Sequence, residues 1–415
     1  MEVLQYHPVF VARQPIFDSK DRVQAHELLF RDGQAKQAAN IVDPVQATLD
    51  VISYGFDLTV SATGGQSPVY INFPQDLLLE RSALALPSNL CVVEVLETVT
   101  PDQEVIEACL DLKRQGYRIV LDDYYGQAGY EKLVALADVV KVDILKMPPR
   151  EIKKIVETLS RKKVSLLAEK IEHVQIYRYC KQMGFDLFQG FFFCSPQIMS
   201  GCKLSPNQIS RLELLKKIAL PDADPKQIAG IIRKDAALSY RLLRFINSAY
   251  FGLRNRITSI EHAVNLLGII QVSQWLRVAI MSDLATSPAG MEVAWLAAQR
   301  GKYLELLSAT HTNPPFSSQS MFLLGLFSLL DALLGQPLEQ ILKDLPIQED
   351  MKDALLNSNS SLTPWMDLVK NMEQGYWDDV QEECQKLGLE QEETARLYNR
   401  SFIWTSESMP RLAAK

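Results

Sequence analysis

The first two hundred residues alternate short apolar segments with amphipathic ones. From "VYINF" at residues 69–73 onward, a strand-like segment recurs about every 20 to 30 residues, with one helix-like stretch between neighbours. This rhythm is typical of βα units around a parallel sheet, and the number of units favours closure into a TIM-like α/β barrel. An open, doubly wound sheet is the alternative, although no GxGxxG motif follows an early strand.

Two further apolar segments, 9–17 and 23–31, precede these units and are joined by the polar stretch "DSKDR". Two strand-like runs on either side of a short polar connection predict a β-hairpin. We therefore expect the sheet to begin with an antiparallel pair of strands.

The strand pattern stops after Pro206, and apolar residues then recur at the i, i+3, i+4 and i+7 spacing of amphipathic helices. Such helices are predicted at 208–220, 225–235, 237–251, 259–284 and 292–311. The sequence thus predicts a barrel domain at residues 1–200 and an all-α domain at residues 201–415. A Pro-, Ser- and Gly-rich hinge is expected at 194–208.

Composition excludes several classes of protein. The net charge of −7 argues against bulk nucleic-acid binding. No apolar run reaches the ~18 residues of a membrane span, so no membrane partner is expected. The N-terminus lacks the pattern of a signal peptide, and the six cysteines form no CxxC pair. We therefore expect free thiols and a cytoplasmic location.

Polar residues stand at or near the exits of successive predicted strands. They are Glu27, Asn72, Glu94, Asp122, Asp123, Lys141, Asp143, Glu169 and Gln189. A barrel gathers such positions on one rim. Carboxylate and amide oxygens suit hard divalent cations such as Mg²⁺ or Mn²⁺. Two such ions ~3.5–4 Å apart can bridge a phosphate and activate water for phosphodiester hydrolysis.

Each of these residues also has a purely structural interpretation. A single carboxylate at a strand end commonly caps the next helix or pairs with a lysine. The adjacent pair Asp122 and Asp123 is harder to explain in this way, because two like charges after an apolar strand repel without a cation. Lys141 is one candidate for that cation.

The same segments carry a family resemblance. "HELLFR", "YIN", "EVLE", "LDDYYG", "VKVD", "AEKIE" and "FQGFFF" resemble the successive motifs of the EAL domain over about residues 8–200. EAL domains are barrel phosphodiesterases of cyclic di-GMP, so the resemblance implies this fold and this dinucleotide ligand.

The resemblance also implies roles for individual residues. The residues that would bind the first metal ion are Glu27, Asn72, Glu94 and Asp122, and Asp122 and Asp123 would take part at the second. Glu169 would be the general base, Lys141 would orient the attacking water, and Glu172 would support the base. Gln14 would contact a guanine of the ligand, and Arg31 would contact a phosphate. Gln189 would complete the shell of metal ions and water, and Glu97 would steady the loop after Asp123.

Two departures from the family pattern are evident. The loop "DYYGQAGYEKL" differs from the family's D-F-G-T/S-G-Y-S-S, which couples dimerisation to the second metal. Lys170 occupies the place of the glycine in A-E-G-V-E. A cation beside Glu169 would lower the pKa of that carboxyl and weaken it as a base.

Residues 220–268 and the later "MFLLGLFSLLD" resemble the HDOD domain, an all-α relative of the HD phosphohydrolases, over about residues 200–400. The chain contains no His-Asp dipeptide, so an HD-type metal site is not expected in this half. The resemblance implies a role in protein interaction or regulation.

Three functions stay open at this point. The chain is an EAL–HDOD enzyme that hydrolyses cyclic di-GMP to pGpG with two Mg²⁺ or Mn²⁺ ions, while its HDOD domain meets a regulatory protein partner. Alternatively it is a catalytically inactive receptor, or a protein-interaction scaffold. A homodimer is compatible with each of them.

Overall fold

A computed structural model describes residues 9–32, 56, 59–60, 67–194, 206–218, 225–253, 255–343, 345, 347–356 and 360–409. The chain divides near residue 195 into a barrel unit and a helical unit, and residues 372–377 group with the barrel. The predicted hinge falls largely on 195–205, outside the described residues. The domain boundary at 200/201 therefore stays a prediction.

Eight strands form a closed barrel. They are β1 Val9–Asp18, β2 Val23–Asp32, β3 Val69–Phe73, β4 Cys91–Val95, β5 Arg118–Leu121, β6 Val139–Asp143, β7 Ser165–Glu169 and β8 Leu187–Gln189. β1 is antiparallel to both β2 and β8, and all other neighbouring strands are parallel. The predicted TIM-like barrel and its opening hairpin are confirmed, and the open-sheet alternative is wrong.

Helices follow most of the parallel strands. They are α1 Gln75–Leu79, α2 Gln103–Arg114, α3 Glu131–Leu136, α4 Pro149–Leu159 and α5 Val174–Met183. In α2 the carboxylate of Asp102 accepts a hydrogen bond from the Val105 amide and caps the helix. In α4 Pro149 occupies the first turn, and an apolar stripe that includes Ile152 and Val156 is buried.

A ring of packed side chains, one from each strand, lies in the barrel. It consists of Ile16, Ala25, Tyr70, Val92, Val120, Val139, Leu167 and Leu187. Because a strand turns every second side chain to the same face, residues two positions along each strand form the next layer of the interior. This layer is the one that carries the polar residues of interest.

The helical unit contains α6 Pro206–Ile218, α7 Pro225–Lys234, α8 Ala236–Ile246, α9 Ile260–Leu267, α10 Ile269–Leu284, α11 Pro288–Thr310, α12 Ser318–Phe327, α13 Leu330–Leu334, α14 Leu338–Lys343, α15 Glu349–Leu355, α16 Thr363–Gln374, α17 Trp377–Leu387 and α18 Gln391–Ser408. The predicted all-α character is confirmed. The single helix expected over 259–284 is wrong, because Gly268 adopts φ 78° and separates α9 from α10.

No single helix among the described residues is long and apolar enough to cross a membrane. The helices α9 and α10 reach the required length and hydropathy only together, and they are bent by 115°. The cysteines that the structure describes are free, and four of the five are buried.

Two glycines allow α11 and α12 to cross at close range. A Cβ on Gly325 would lie 2.4 Å from the backbone of Arg300 and Gly301, and one on Gly301 would lie 2.7 Å from the Phe322 carbonyl oxygen. Real Cβ atoms do not approach backbone this closely, so the two helices cannot pack at this distance with a larger residue at either position.

We therefore expect Gly325→Ala to lower the free energy of unfolding of the helical unit by about 3 kcal/mol, since the helices must move apart. Urea unfolding followed by tryptophan fluorescence reports on this unit, because it contains Trp275, Trp295, Trp365 and Trp404.

Gly230→Ala is the matched control. Gly230 lies inside α7, and a Cβ added there would meet no atom within 4 Å from outside the helix in the part of the chain that the structure describes. Alanine at this position should therefore stabilise the unit by roughly 0.5–1 kcal/mol through helix propensity. Equal effects of the two substitutions would contradict the close crossing.

Candidate functional site

The polar residues singled out in the sequence lie one layer beyond the apolar ring. In six parallel strands or strand exits the site residue follows its ring residue by two positions, as Asn72 follows Tyr70 and Glu94 follows Val92. The same step gives Asp122, Lys141, Glu169 and Gln189, and in the hairpin it gives Glu27 and, in the reverse direction, Gln14. The barrel interior therefore gathers eight polar groups from eight strands at one level.

Lys141 lies at the centre of this layer and is almost completely buried. Its Nζ lies 3.1 Å from Glu27 Oε2, 3.1 Å from Asp122 Oδ1 and 2.7 Å from Glu169 Oε1. It also contacts Glu94 Oε1. One ammonium thus contacts four carboxylates, and these carboxylates in turn raise the pKa of Lys141 well above its usual value against the opposing effect of burial.

Amide side chains extend this network. Gln189 Nε2 donates to Glu27 Oε2 at 2.6 Å and to Gln14 Oε1 at 2.7 Å. Asn72 Nδ2 lies 3.5 Å from Glu27 Oε1. The carboxylate of Glu27 is therefore held from three sides by Lys141, Gln189 and Asn72.

The carboxyl groups of this layer differ in charge state. Burial raises the pKa of Glu169 to about 8, and only part of that rise is offset by Lys141. Burial, together with the nearby charge of Glu27, also raises the pKa of Glu94 well above its usual value. Burial acts on Asp122 as well, but Lys141 and a hydrogen bond with Glu94 outweigh it and lower the pKa of Asp122. With a pKa of about 8, Glu169 is mostly protonated at pH 7, and a bound divalent cation would displace that proton.

Asp122, Asp123 and Glu169 form a second grouping, in which one oxygen from each lies within 4.8 Å of the others. Asp123 adopts φ 45°, a left-handed conformation that costs energy for a residue other than glycine. The residue that takes this conformation therefore lies beside Asp122 and Glu169 at the edge of the layer.

This constellation fits a site for hard divalent cations. The donors are carboxylate and amide oxygens. Three buried oxygens, Asp123 Oδ1, Glu169 Oε2 and Gln189 Oε1, have no hydrogen-bond partner among the described residues. Leaving a buried polar atom unsatisfied is costly, and coordination of a cation is a direct way to satisfy such atoms.

Lys170 adopts φ 57°, a left-handed conformation that glycine adopts readily. This conformation agrees with the glycine in the A-E-G-V-E motif that the chain resembles. Its Nζ lies 2.6 Å from Asp143 Oδ2. The pKa of Glu169 is raised, not lowered as expected from a neighbouring cation, because burial outweighs the attraction of nearby lysines.

Three other residues were assigned roles from the sequence. Arg31 belongs to β2, but its side chain lies outside the described residues. Glu172 is exposed in the turn before α5. The side chain of Glu97 is also exposed, and its carbonyl accepts a hydrogen bond of 3.1 Å from the Tyr130 hydroxyl. Their assigned roles stay predictions.

Two residues near the site were not assigned a role from the sequence. Asp143 anchors the turn after β6, and Lys146 in that turn contacts Asp123 Oδ2. Asp143 was one of the polar strand exits, but no periodicity marks Lys146, because its position depends on the path of a loop.

Comparison with known proteins agrees with this architecture. The EAL domain model matches residues 34–196, and the HDOD domain model matches residues 206–328. The uncharacterized protein YuxH of Bacillus subtilis is 33% identical over 411 residues, which cover 97% of this chain and 99% of YuxH. The cyclic di-GMP phosphodiesterase CdgJ of Vibrio cholerae is 32% identical over 406 residues, which cover 97% of this chain and 93% of CdgJ.

Among solved structures, a manganese and cyclic di-GMP complex of Klebsiella pneumoniae BlrP1 is similar to this chain, with 21% sequence identity and a TM-score of 0.39. The matched region covers 46% of this chain and 57% of the BlrP1 chain. This overlap is partial and adds nothing to the assignment of the site.

The central position of Lys141 leads to a stability prediction. Lys141→Met leaves four buried carboxyl groups without their shared cation, so we expect the barrel to lose about 3–5 kcal/mol of unfolding free energy at pH 8. The loss should be smaller at pH 5, because the carboxyl groups, whose pKa values rise further without the lysine, are then protonated and no longer repel. Hydrogen exchange of β6 and β7, followed by mass spectrometry at both pH values, measures this difference.

Lys153→Met serves as the control, since Lys153 is exposed on α4 and pairs with the exposed Glu157 at 3.9 Å. It should change the stability by less than about 0.5 kcal/mol at either pH. An equal loss at pH 5 and pH 8 in Lys141→Met would mean that packing, not charge, accounts for the effect.

Proposed function

This chain, with an EAL domain followed by an HDOD domain, belongs to the family of YuxH and CdgJ, and we propose that its barrel binds cyclic di-GMP and hydrolyses it to pGpG with divalent cations. The observation that carries the proposal is the polar layer, in which every strand of the barrel supplies a polar group at one level. CdgJ is a cyclic di-GMP phosphodiesterase, and similarity over nearly the full length of both chains supports the same substrate here.

The residues of this layer divide into two cation positions. Glu27, Asn72, Glu94 and Asp122 would hold the first ion, and Asp122 and Asp123 would take part at the second, which also adjoins Glu169. Mg²⁺ or Mn²⁺, when bound, supplies charge for the phosphate and lowers the pKa of water. The carboxylates would determine the positions of the bound cations, because the strands of the barrel hold these side chains in register.

Glu169 acts as the general base. It is buried, it lies 2.7 Å from Lys141, and its pKa of about 8 without cations is near the pH at which a base must both accept and release protons. It takes the proton of the water that attacks phosphorus. Lys141 orients this water and holds Glu169 in position through its ammonium.

The substrate is recognised at the rim of the barrel. Gln14 would contact a guanine, Arg31 would contact a phosphate, and Gln189 would contact metal-bound water. Gln189 also positions Gln14 by donating a hydrogen bond of 2.7 Å to its Oε1. Glu172 supports Glu169, and Glu97 steadies the loop after Asp123. These assignments follow the motifs of the EAL domain, residue by residue.

The helical unit serves as the interaction module. The HDOD match over 206–328 supports a regulatory protein partner, and a homodimer through the barrel is a second association to be tested by sedimentation. Neither association is needed for the chemistry of the polar layer.

Turnover tests the proposal directly. Purified full-length protein with Mn²⁺ or Mg²⁺ should convert cyclic di-GMP to pGpG, as measured by chromatography of the nucleotides. Glu169→Gln should lower kcat by about 10²–10⁴-fold, because a positioned general base contributes this much. Binding of cyclic di-GMP should persist in this variant.

Glu157→Gln is the control, since Glu157 is an exposed residue of α4 that pairs with the exposed Lys153. It should keep the activity of the natural sequence. Binding of cyclic di-GMP without pGpG formation would select the receptor, and the absence of both binding and turnover would select the scaffold.

Cation binding should also release protons. Because the pKa of Glu169 is about 8 without ions, the group is mostly protonated at pH 7, and an ion must displace that proton. The apparent affinity for Mn²⁺ should therefore rise with pH up to about 8 and then level off. Calorimetry in two buffers with different protonation enthalpies measures the released protons.

Glu169→Gln cannot release this proton, so its affinity for Mn²⁺ should depend less on pH. The same number of protons released by both proteins would show that Glu169 is already ionised without the metal.

A further inference from the structure

A second lysine, Lys146, contacts the grouping of Asp122, Asp123 and Glu169. It lies in the turn between β6 and α4, and its Nζ contacts Asp123 Oδ2. The two lysines differ in environment, because the side chain of Lys141 is 1% exposed and that of Lys146 is 57% exposed. Lys146 therefore reaches the layer from solvent.

The backbone of this turn is fixed by a buried carboxylate. Asp143 Oδ1 accepts hydrogen bonds from the amides of Leu145, at 2.8 Å, and Lys146, at 3.3 Å. Asp143 Oδ2 accepts from Lys170 Nζ at 2.6 Å. With its backbone anchored in this way, Lys146 can leave Asp123 by rotating its own side chain into solvent, without movement of the turn.

The two carboxylate oxygens of Asp123 have different surroundings. One of its carboxylate oxygens contacts Lys146, while Oδ1 is buried and has no hydrogen-bond partner among the described residues. The same carboxylate belongs to the grouping with Asp122 and Glu169, and Glu169 also carries a buried oxygen without a partner in the described part of the chain. These oxygens indicate a further ligand between the three side chains.

We propose that Lys146 is a tethered competitor for a divalent cation at the position formed by Asp122, Asp123 and Glu169. The inference rests on the proposed function only in that this position takes such an ion. An ammonium on Asp123 and a divalent ion on the same carboxylate place like charges a few ångströms apart, and this repulsion is strong in a partly buried site. The ion binds fully only when Lys146 has turned into solvent.

This competition has a consequence for how the site fills. Lys141 contacts carboxyl groups at both cation positions, whereas Lys146 contacts Asp123 at the second position. Lys146 therefore sets the metal concentration at which the second ion binds. A lysine that only forms a surface ion pair would have no such effect, because exposed pairs contribute little.

Mn²⁺ binding to the full-length protein without nucleotide tests this inference, with free Mn²⁺ measured by electron paramagnetic resonance. We expect two bound ions, and Lys146→Met should tighten the binding of one of them about tenfold, as expected for removal of one nearby positive charge. Lys146→Arg keeps the charge and should keep both affinities of the natural sequence. Lys153→Met makes the same charge change on a distant exposed helix and should leave both affinities unchanged.

Asp123→Asn identifies the carboxylate through which Lys146 acts. In this background Lys146→Met should no longer tighten Mn²⁺ binding, since the competition requires the charge on Asp123. If the protein binds two ions and Lys146→Met leaves both affinities unchanged, the inference is wrong and the proposed function stands. If neither the natural sequence nor Lys146→Met binds Mn²⁺, both are wrong.

Discussion

One buried ammonium holds the functional layer of this protein together. Lys141 contacts the carboxyl groups of Glu27, Glu94, Asp122 and Glu169, which come from strands far apart in sequence. Four carboxyl groups in a barrel interior would repel one another, and burying any of them alone is costly. A single central cation allows the layer to exist in a folded barrel, and the raised pKa values of Glu94 and Glu169 relieve the remaining excess of negative charge.

The apolar ring of the barrel determines where the residues of this layer lie. A closed ring of eight apolar residues fixes the register, and the two-residue period of the strands then places the next side chains at one level. The residues that stabilise the barrel and the residues of the site are therefore two positions apart along each strand. The apolar residue packs, and the polar residue two positions away faces the site.

The loops at the rim carry the strain that this arrangement requires. Asp123 and Lys170 both adopt left-handed backbone conformations that suit glycine better. Gly190 follows Gln189, the last residue of β8, and adopts φ 138°. A Cβ at this position would lie 2.2 Å from the Ile171 carbonyl oxygen, so only glycine fits here. The strained and crowded positions lie next to the residues that the proposed chemistry uses, while the helices behind them have ordinary caps and apolar faces.

The closed barrel, its opening hairpin, the all-α second half and the polar strand exits could all be predicted from the sequence, because strand and helix periods and family motifs are local patterns. The break at Gly268, the raised pKa values of Glu94 and Glu169, and the contact of Lys146 with Asp123 could not. Those features depend on burial and on distances between residues far apart in the chain, and electrostatic energy varies with both. The tertiary structure was therefore needed to show that Lys141 contacts four carboxyl groups at once and that Lys146 reaches Asp123 from solvent.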